Sequence, residues 1–431
     1  MEIITLPGAA NWETLVKRPR IDHSLVNDTV TGILEDVKTR GDEAVVHYNH
    51  LYGGSGHKNF TVSLAEIEQA VSRVDDQLKY AIHTAKQNIE DFHRSQKRPV
   101  KKIQTTDGVL CWRKQVPIDR VGLYIPGGSA PLFSTLLMLA IPARIAGCKN
   151  IVVCSPPRKN GLLDPAILYS ASLLDLKKIF KVGGAQAIFA MSRGTSSIPA
   201  VDKIFGPGNQ YVTAAKQLIQ LEGTAIDMPA GPSEVLIIAD GKANAAFIAA
   251  DLIAQAEHGP DSQVILVTEN APLIKKVSSE IRRQIRDLPR ASIAEKSMQN
   301  SKLILLKNLD EAVAFSNLYA PEHLIIMVEN PHKLASTINN AGSVFIGPFS
   351  PEAAGDYASG TNHTLPTGGY ARSYSGVSLD SFYKTITFQE ISEEGIRQIG
   401  PVVATMAEAE QLSGHARSVR IRIASLKKPG I

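Results

Sequence analysis

Twice along this chain, short runs of β-branched and aliphatic residues alternate with longer amphipathic stretches, and that alternation most narrows the folds open to it. The first series runs RVGLYIP (120–126), TLLMLAIPARIAG (135–147), NIVVCSPP (150–157), PAILYSASLLDL (165–176), KIFKVGG (178–184), AQAIFAMSR (185–193) and KIFGPG (203–208). The second takes up at VLIIAD (235–240) and passes through QVILVT (263–268), KLILLK (302–307) and HLIIMV (323–328) to SVFIGP (343–348). Strand-length apolar runs separated by helix-length stretches predict βαβ crossovers and parallel sheets. The expectation is therefore an α/β protein with two Rossmann-like, incomplete parallel-sheet domains. No residue-level repeat relates the two series; their likeness is one of period. PAGPSE, Pro229 to Glu234, stands between them as a hinge.

What flanks the alternation is different in kind. From Val26 to Arg98 the chain is charged, with Ile33, Val37 and Val45 and then Leu64, Ile67 and Val71 at helical spacing, which predicts a helical lead-in. Beyond Phe388 it turns helical and polar again, predicting a small C-terminal helical element. The expected division is residues 1–22 as an N-terminal extension, 23–123 with 233–378 as one α/β domain, 124–232 as the other, and 379–431 as the C-terminal element.

At 431 residues and 44% hydrophobic the chain has material for more than one core. Its formal charge of +4, set against 46 basic and 42 acidic side chains, makes no case for nucleic acid or an anionic membrane. The basic run Arg417 to Lys428 reads as a solvated helix face. No segment reaches the roughly 20 apolar residues of a membrane-spanning helix, and the N-terminus has neither signal-peptide nor transit-peptide character. Cys111, Cys148 and Cys154 match no disulfide, zinc-finger or CxxC pattern and read as packing residues in a reducing, cytoplasmic protein.

Chemistry-bearing residues gather where strands should end. PGGSAP (126–131), VGGAQA (182–187) and GPGN (206–209) are glycine turns of the kind that let backbone amides approach phosphates, although none is a full GxGxxG and tight βα turns explain them equally. In DLIAQAEHGPDSQVILVT, Asp251, Gln255 and His258 fall on one face of a helix stopped by Gly259 and Pro260. That is a workable zinc-chelate spacing, and also an ordinary solvated helix end. Glu322 and His323 stand before the strand LIIMV, a carboxylate beside an imidazole, suited to proton transfer near neutral pH. The run EAAGDYASGTNHTLPTGGYARSYSG, with Asp356 and His363 embedded, reads as a long functional loop. Glu410 and His415 lie on a helix in EAEQLSGHARS. His23, His47, His50, His57, His83, His93 and His332 read as surface or capping residues.

Taken jointly and in order, VGLYIPGGSAPLFST, FGPGN, DMPAGPSEVL, QAEHGPDSQV, APEHL, AGDYASGTNHTLPT and SGHARSV resemble the histidinol dehydrogenases, from about Val26 to the last helix. The resemblance implies oxidation of L-histidinol to L-histidine through L-histidinaldehyde, the last step of histidine biosynthesis, with two NAD consumed and one Zn2+ per subunit. It implies Gln255, His258, Asp356 and His415 as zinc ligands, a set that manganese or cobalt also suits, and Glu322 and His323 as the catalytic pair. Substrate contacts implied are Ser233, Gln255, His258, His323, Asp356, His363, Glu410 and His415, and NAD contacts Tyr124, Gln186 and Asn209. It further implies a homodimer in which the C-terminal element, with Glu410 and His415, completes the partner's site. A zinc hydrolase with Glu322 activating water, or a non-enzymatic two-lobed binding protein, are the other readings; NAD reduction and metal dependence separate them.

Overall fold

The computed structural model describes residues 1–19, 23–53, 59–127, 131–229 and 231–426. His57, the middle of the Pro126–Pro131 turn, residue 230 of the hinge and the end of the basic tail lie outside them. The chain divides into two compact units, Met1–Ser95 with Asp119–Ser381, and Gln96–Ile118 with Phe382–Ile431.

Both expected sheets lie in the first unit and both are wholly parallel. The five-stranded sheet runs in the order Lys178–Phe180, Asn150–Cys154, Arg120–Tyr124, Lys203–Phe205, Ala225–Ile226. The six-stranded sheet runs Glu2–Thr5, Lys302–Leu305, Gln263–Thr268, Glu234–Ala239, His323–Met327, Ser343–Ile346. In each, the first strand of the series is central; the chain steps outward on one side and then crosses to the other. The likeness of period is thus a likeness of topology. Glu234–Ala239 and Gln263–Thr268 are buried at every position, as parallel strands covered on both faces must be. Glu2–Thr5, read as part of an extension, is instead an edge strand paired with Lys302–Leu305.

The helical lead-in is present as His23–Arg40, Asp42–Gly53, Leu64–Arg73 and Asp76–Arg94. Ile33, Val37 and Val45 enter the same core as Ile188 and Ile219 of the five-stranded layer. The first helix packs on Gly184–Arg193 and Gln210–Leu221, the second on Gly184–Arg193, the third on Pro165–Leu173 and the fourth on Phe133–Ala146. Leu64 departs from the expected stripe: it opens its helix behind a Ser63–Glu66 capping box and is exposed. His93 departs the other way. It follows Ile82, Ala85 and Ile89 on the inner face of its helix, is fully buried, and bonds the Ile89 carbonyl through Nδ1 at 2.8 Å.

The second unit holds an antiparallel sheet that the periodicity did not announce, ordered Tyr383–Ile391, Val109–Pro117, Lys102–Thr106. The C-terminal element therefore begins with a strand and continues as two helices, Glu393–Ala409 and Ser413–Ser425, which pack on each other. Among the described residues no helix is long and apolar enough to cross a membrane.

Candidate active site

In a βαβ unit the helix returns the chain to the start of the next strand, so helix C-termini and strand N-termini share one edge of a sheet. Helix Ala245–Ala256, capped at its start by the Asn244 side chain, delivers Gln255 to that edge of the six-stranded sheet. Strand His323–Met327 begins there, with Glu322 just before it. Facing this edge is the opposite edge of the five-stranded sheet, where Tyr124 ends its strand and Asn209 follows Lys203–Phe205. Between them lies a cleft of about 1040 Å³, lined from one side by Tyr124, Gly127 and Asn209 and from the other by Gln255, Glu322 and His323. Ser233, His258, Asp356 and His363 also line it.

His258 lies past the end of its helix, which stops at Ala256 with Glu257 as cap, earlier than Gly259 suggested. Asp356, expected in a loop, sits on the short helix Glu352–Tyr357. That helix also carries Glu352, which the loop reading passed over. At i and i+4 the two carboxylates share a helix face, and donor atoms of His258, Glu352 and Asp356 lie within 4.8 Å of one another. Gly355 between them lets the helix lie against Phe345: a Cβ there would stand 2.7 Å from that ring, which itself lies 6.0 Å from the His323 imidazole.

Glu322 and His323 are both buried. The Glu234 N–H donates to Glu322 Oε2 at 2.9 Å, and His323 Nδ1 lies 3.3 Å from the Glu234 carbonyl oxygen and 3.5 Å from Glu322 Oε2. Nδ1 is thereby occupied, while Nε2 has no hydrogen-bond partner and lies 3.6 Å from Asp356 Oδ1. Burial raises the Glu322 pKa against the pull of His323. For His323, burial would lower it, but Glu322, Glu352 and Asp356 outweigh that and hold it well above the usual imidazole range. Glu352 is driven far up by burial and by its carboxylate neighbours Asp356, Glu322 and Asp251. Asp356 is held down, burial notwithstanding, by His323, His363 and His258.

The Gln255 carboxamide nitrogen lies 3.4 Å from Glu322 Oε2 and 3.3 Å from His323 Nδ1, while its oxygen faces the Glu352 carboxylate. Buried acceptors in contact need a proton, a turned amide or a cation to reconcile them. Together with the nitrogen of His258 and the Asp356 oxygens, they form an O/N donor set that suits zinc. His363 is fixed by Thr135 Oγ1 at 2.9 Å and the Asp356 carbonyl at 3.0 Å, and burial keeps it low and neutral.

At the edge of the five-stranded sheet, the Tyr124 hydroxyl accepts from Gly184 N at 3.1 Å. Asn209 Oδ1 caps helix Gln210–Leu221, accepting from the N–H groups of Tyr211 and Val212. Gln186 lies beneath the Gly183–Gly184 turn, 2% exposed, and is not among the cleft-lining residues; its Oε1 has no partner. Gly206 has φ +125°, and a Cβ there would stand 2.0 Å from the Tyr124 carbonyl oxygen. Glu410 and His415 belong to the second unit, where both are exposed, one closing helix Glu393–Ala409 and the other opening the last helix. Burial pushes the Cys148 thiol up to about 12 and Cys154 higher still, so neither is a nucleophile.

Comparison with known proteins agrees over nearly the whole chain. The family model described as histidinol dehydrogenase matches residues 16–423. A histidinol dehydrogenase of Bacteroides thetaiotaomicron is 55% identical over 99% of this chain and 100% of that protein. One of Escherichia coli is 50% identical over 97% of this chain and 96% of its own length. The crystal structure of histidinol dehydrogenase from Elizabethkingia anophelis superposes with a TM-score of 0.97 at 52% identity, covering 99% of each chain. Matched this closely in sequence and in fold, the chain belongs to the histidinol dehydrogenase family.

Proposed function

We infer that the protein oxidises L-histidinol to L-histidine through L-histidinaldehyde, reducing two NAD, with Glu322 and His323 as its proton-transfer pair. The observation that carries this is the cleft between the two sheets, where glycine turns face a buried Glu–His pair beside an O/N donor cluster. Gln255, His258 and Asp356 would hold zinc, and Glu352 stands near enough to share in doing so. Zinc when bound supplies an electrophilic anchor for the substrate's imidazole and amine nitrogens, groups unchanged by either oxidation, and NAD accepts the electrons.

The chain's own residues divide the remaining work. Because Nδ1 of His323 is occupied by the Glu234 carbonyl and Glu322, Nε2 is the atom that takes the hydroxyl proton as the carbinol carbon is oxidised, once the Glu352 and Asp356 charges that otherwise keep the ring protonated are offset by bound zinc. Glu322 then takes a proton from water, which adds to the aldehyde to give the hydrate. Once His323 has passed the first proton to solvent, the hydrate presents a second hydroxyl to it, so one base serves both oxidations. Ser233 and His363 line the substrate side, Tyr124 and Asn209 serve NAD, and Gln186, buried beneath the Gly183–Gly184 turn, serves it only through that turn. Residues 124–232 thus carry the nucleotide, while 23–123 with 233–378 carry the metal and the pair.

A second copy of the chain completes the site with Glu410 and His415 of its C-terminal element. Two features support this. Phe349 (86% exposed), Tyr357 and Phe247 leave aromatic surface uncovered around the metal-binding helix. Among the described residues, the helices bearing Glu410 and His415 have as a core only Ala404, Ala407 and Ala416, with Val402, Met406 and Ile421 exposed. Free cysteines suit a reducing cytoplasm. Removal of metal by a chelator should abolish histidinol-dependent NAD reduction, and equimolar zinc should restore it. Undiminished activity with metal content shown to be nil would refute the metal's role.

A further inference from the structure

Glu234 opens the central strand of the six-stranded sheet, and its main chain touches both members of the pair: its N–H donates to Glu322 Oε2 at 2.9 Å and its carbonyl lies 3.3 Å from His323 Nδ1. Where that peptide sits decides where the pair sits. Its side chain is a carboxylate only 1% exposed, which is tolerable only with a cation and full hydrogen bonding. Arg18 supplies these, donating from Nε to Oε2 at 2.8 Å and from Nη2 to Oε1 at 3.0 Å, and the Tyr319 hydroxyl lies 3.0 Å from Oε2.

The same guanidinium also grips the segment that leads into the pair. Arg18 Nη2 donates to the Tyr319 carbonyl at 2.7 Å and lies within reach of the Ala320 carbonyl, while its plane covers the Tyr319 ring at 3.7 Å. Tyr319 ends helix Leu309–Tyr319, and Ala320, the cap that leads into Pro321, Glu322 and His323, holds a left-handed φ of +53° that an L residue adopts only under constraint. One arginine thus fixes the peptide against which Glu322 and His323 lean and the strained turn from which they emerge.

We propose that Arg18 is the positioning residue of the Glu322–His323 pair, acting through Glu234 and the Ala320 turn. The role rests on the oxidation proposed above. A lysine keeps the charge but not the planar fork, so it separates geometry from simple neutralisation.

The test uses the full chain with zinc bound, as Arg18→Met, Arg18→Lys and Tyr319→Phe. Steady-state constants, zinc content, melting temperature and the share of aldehyde captured by semicarbazide are measured for each. Arg18→Met should lower kcat by about 30-fold or more, hold the KM for NAD within about threefold, and release trappable aldehyde because hydration depends on Glu322. Arg18→Lys should recover about a third of the lost decades, and Tyr319→Phe should cost about three- to fivefold. A kcat within about threefold of the parent in Arg18→Met, or a loss without increased aldehyde release and no smaller in Arg18→Lys, overturns the proposal. Should Arg18→Met fail to fold, parental kcat and aldehyde release in both other variants overturn it equally. If the unsubstituted protein does not reduce NAD with histidinol, the reading of the site fails; if it does and the variants match it, only the role of Arg18 fails.

Discussion

Glu322 and His323 are neighbours in sequence, yet the structure gives them different surroundings, on which their proposed division of work rests. Glu322 is held by the Glu234 N–H, and its carboxyl is raised by burial. That suits a group that must take a proton from water. His323 has one nitrogen engaged and one bare, which suits repeated proton abstraction from hydroxyls. Substitution should separate the two roles. Glu322→Gln should keep part of the first oxidation and fail at hydration, so that supplied histidinaldehyde turns over about 100-fold or more slowly, whereas His323→Asn should impair both steps comparably. Rapid turnover of supplied aldehyde by Glu322→Gln would show that another group activates the water. At this scale the pair stood out in sequence as a carboxylate beside an imidazole, and the resemblance set it apart from chance Glu–His steps, which are common. Glu352 escaped altogether. Its one signal was the i, i+4 relation to Asp356, masked by Gly355, which makes the segment read as loop although the glycine is there to admit Phe345.

Elements were more legible than residues where burial imposed a period. Every parallel strand of the two alternating series was visible as a short aliphatic run, because both faces of those sheets are covered and the run has no polar interruption. The antiparallel sheet was not. Val109–Pro117 mixes Arg113, Lys114 and Gln115 with Val109, Cys111 and Trp112, since most of it is at least partly exposed. Its partner Tyr383–Ile391 comes from the far end of the sequence, so no local turn signal joins them. Histidine at the end of helix Ala245–Ala256 shows the usual imprecision of boundaries. The turn after Lys203–Phe205 makes an element-scale prediction, because Gly206 combines positive φ with direct backbone contact to Tyr124. Gly206→Ala must either displace the Tyr124 strand end or open the turn. It should lower the melting temperature by about 3 °C or more and raise the KM for NAD. An unchanged melting temperature and KM would mean that the turn does not shape the nucleotide side.

At the scale of the whole molecule, two sheets of one topology meet by opposite edges. The five-stranded sheet uses its strand C-terminal edge, as nucleotide-binding sheets do, while the six-stranded sheet offers strand N-termini and the end of the helix carrying Gln255. That arrangement explains why glycine turns and titratable residues, read separately along the sequence, belong to one cleft. On the six-stranded sheet the C-terminal crevice between the Glu234 and His323 strands is closed by Asp240, whose carboxylate accepts from the N–H groups of Lys242 at 2.9 Å and Glu329 at 2.6 Å. The proposed dimer, in which His258 and His415 of one site come from different copies, makes its own prediction. Inactive His258→Asn and inactive His415→Asn, mixed under conditions of subunit exchange, should regain about a quarter of parental activity, one intact site for each mixed dimer at statistical pairing. No recovery despite demonstrated exchange would place His415 outside the site. The central claim, a four-electron oxidation driven twice by one base in one cleft, is tested most directly by counting NADH formed per histidinol consumed. Two NADH and one histidine for each histidinol, with no aldehyde accumulating, is the predicted result, and one NADH with the aldehyde as end product would contradict it.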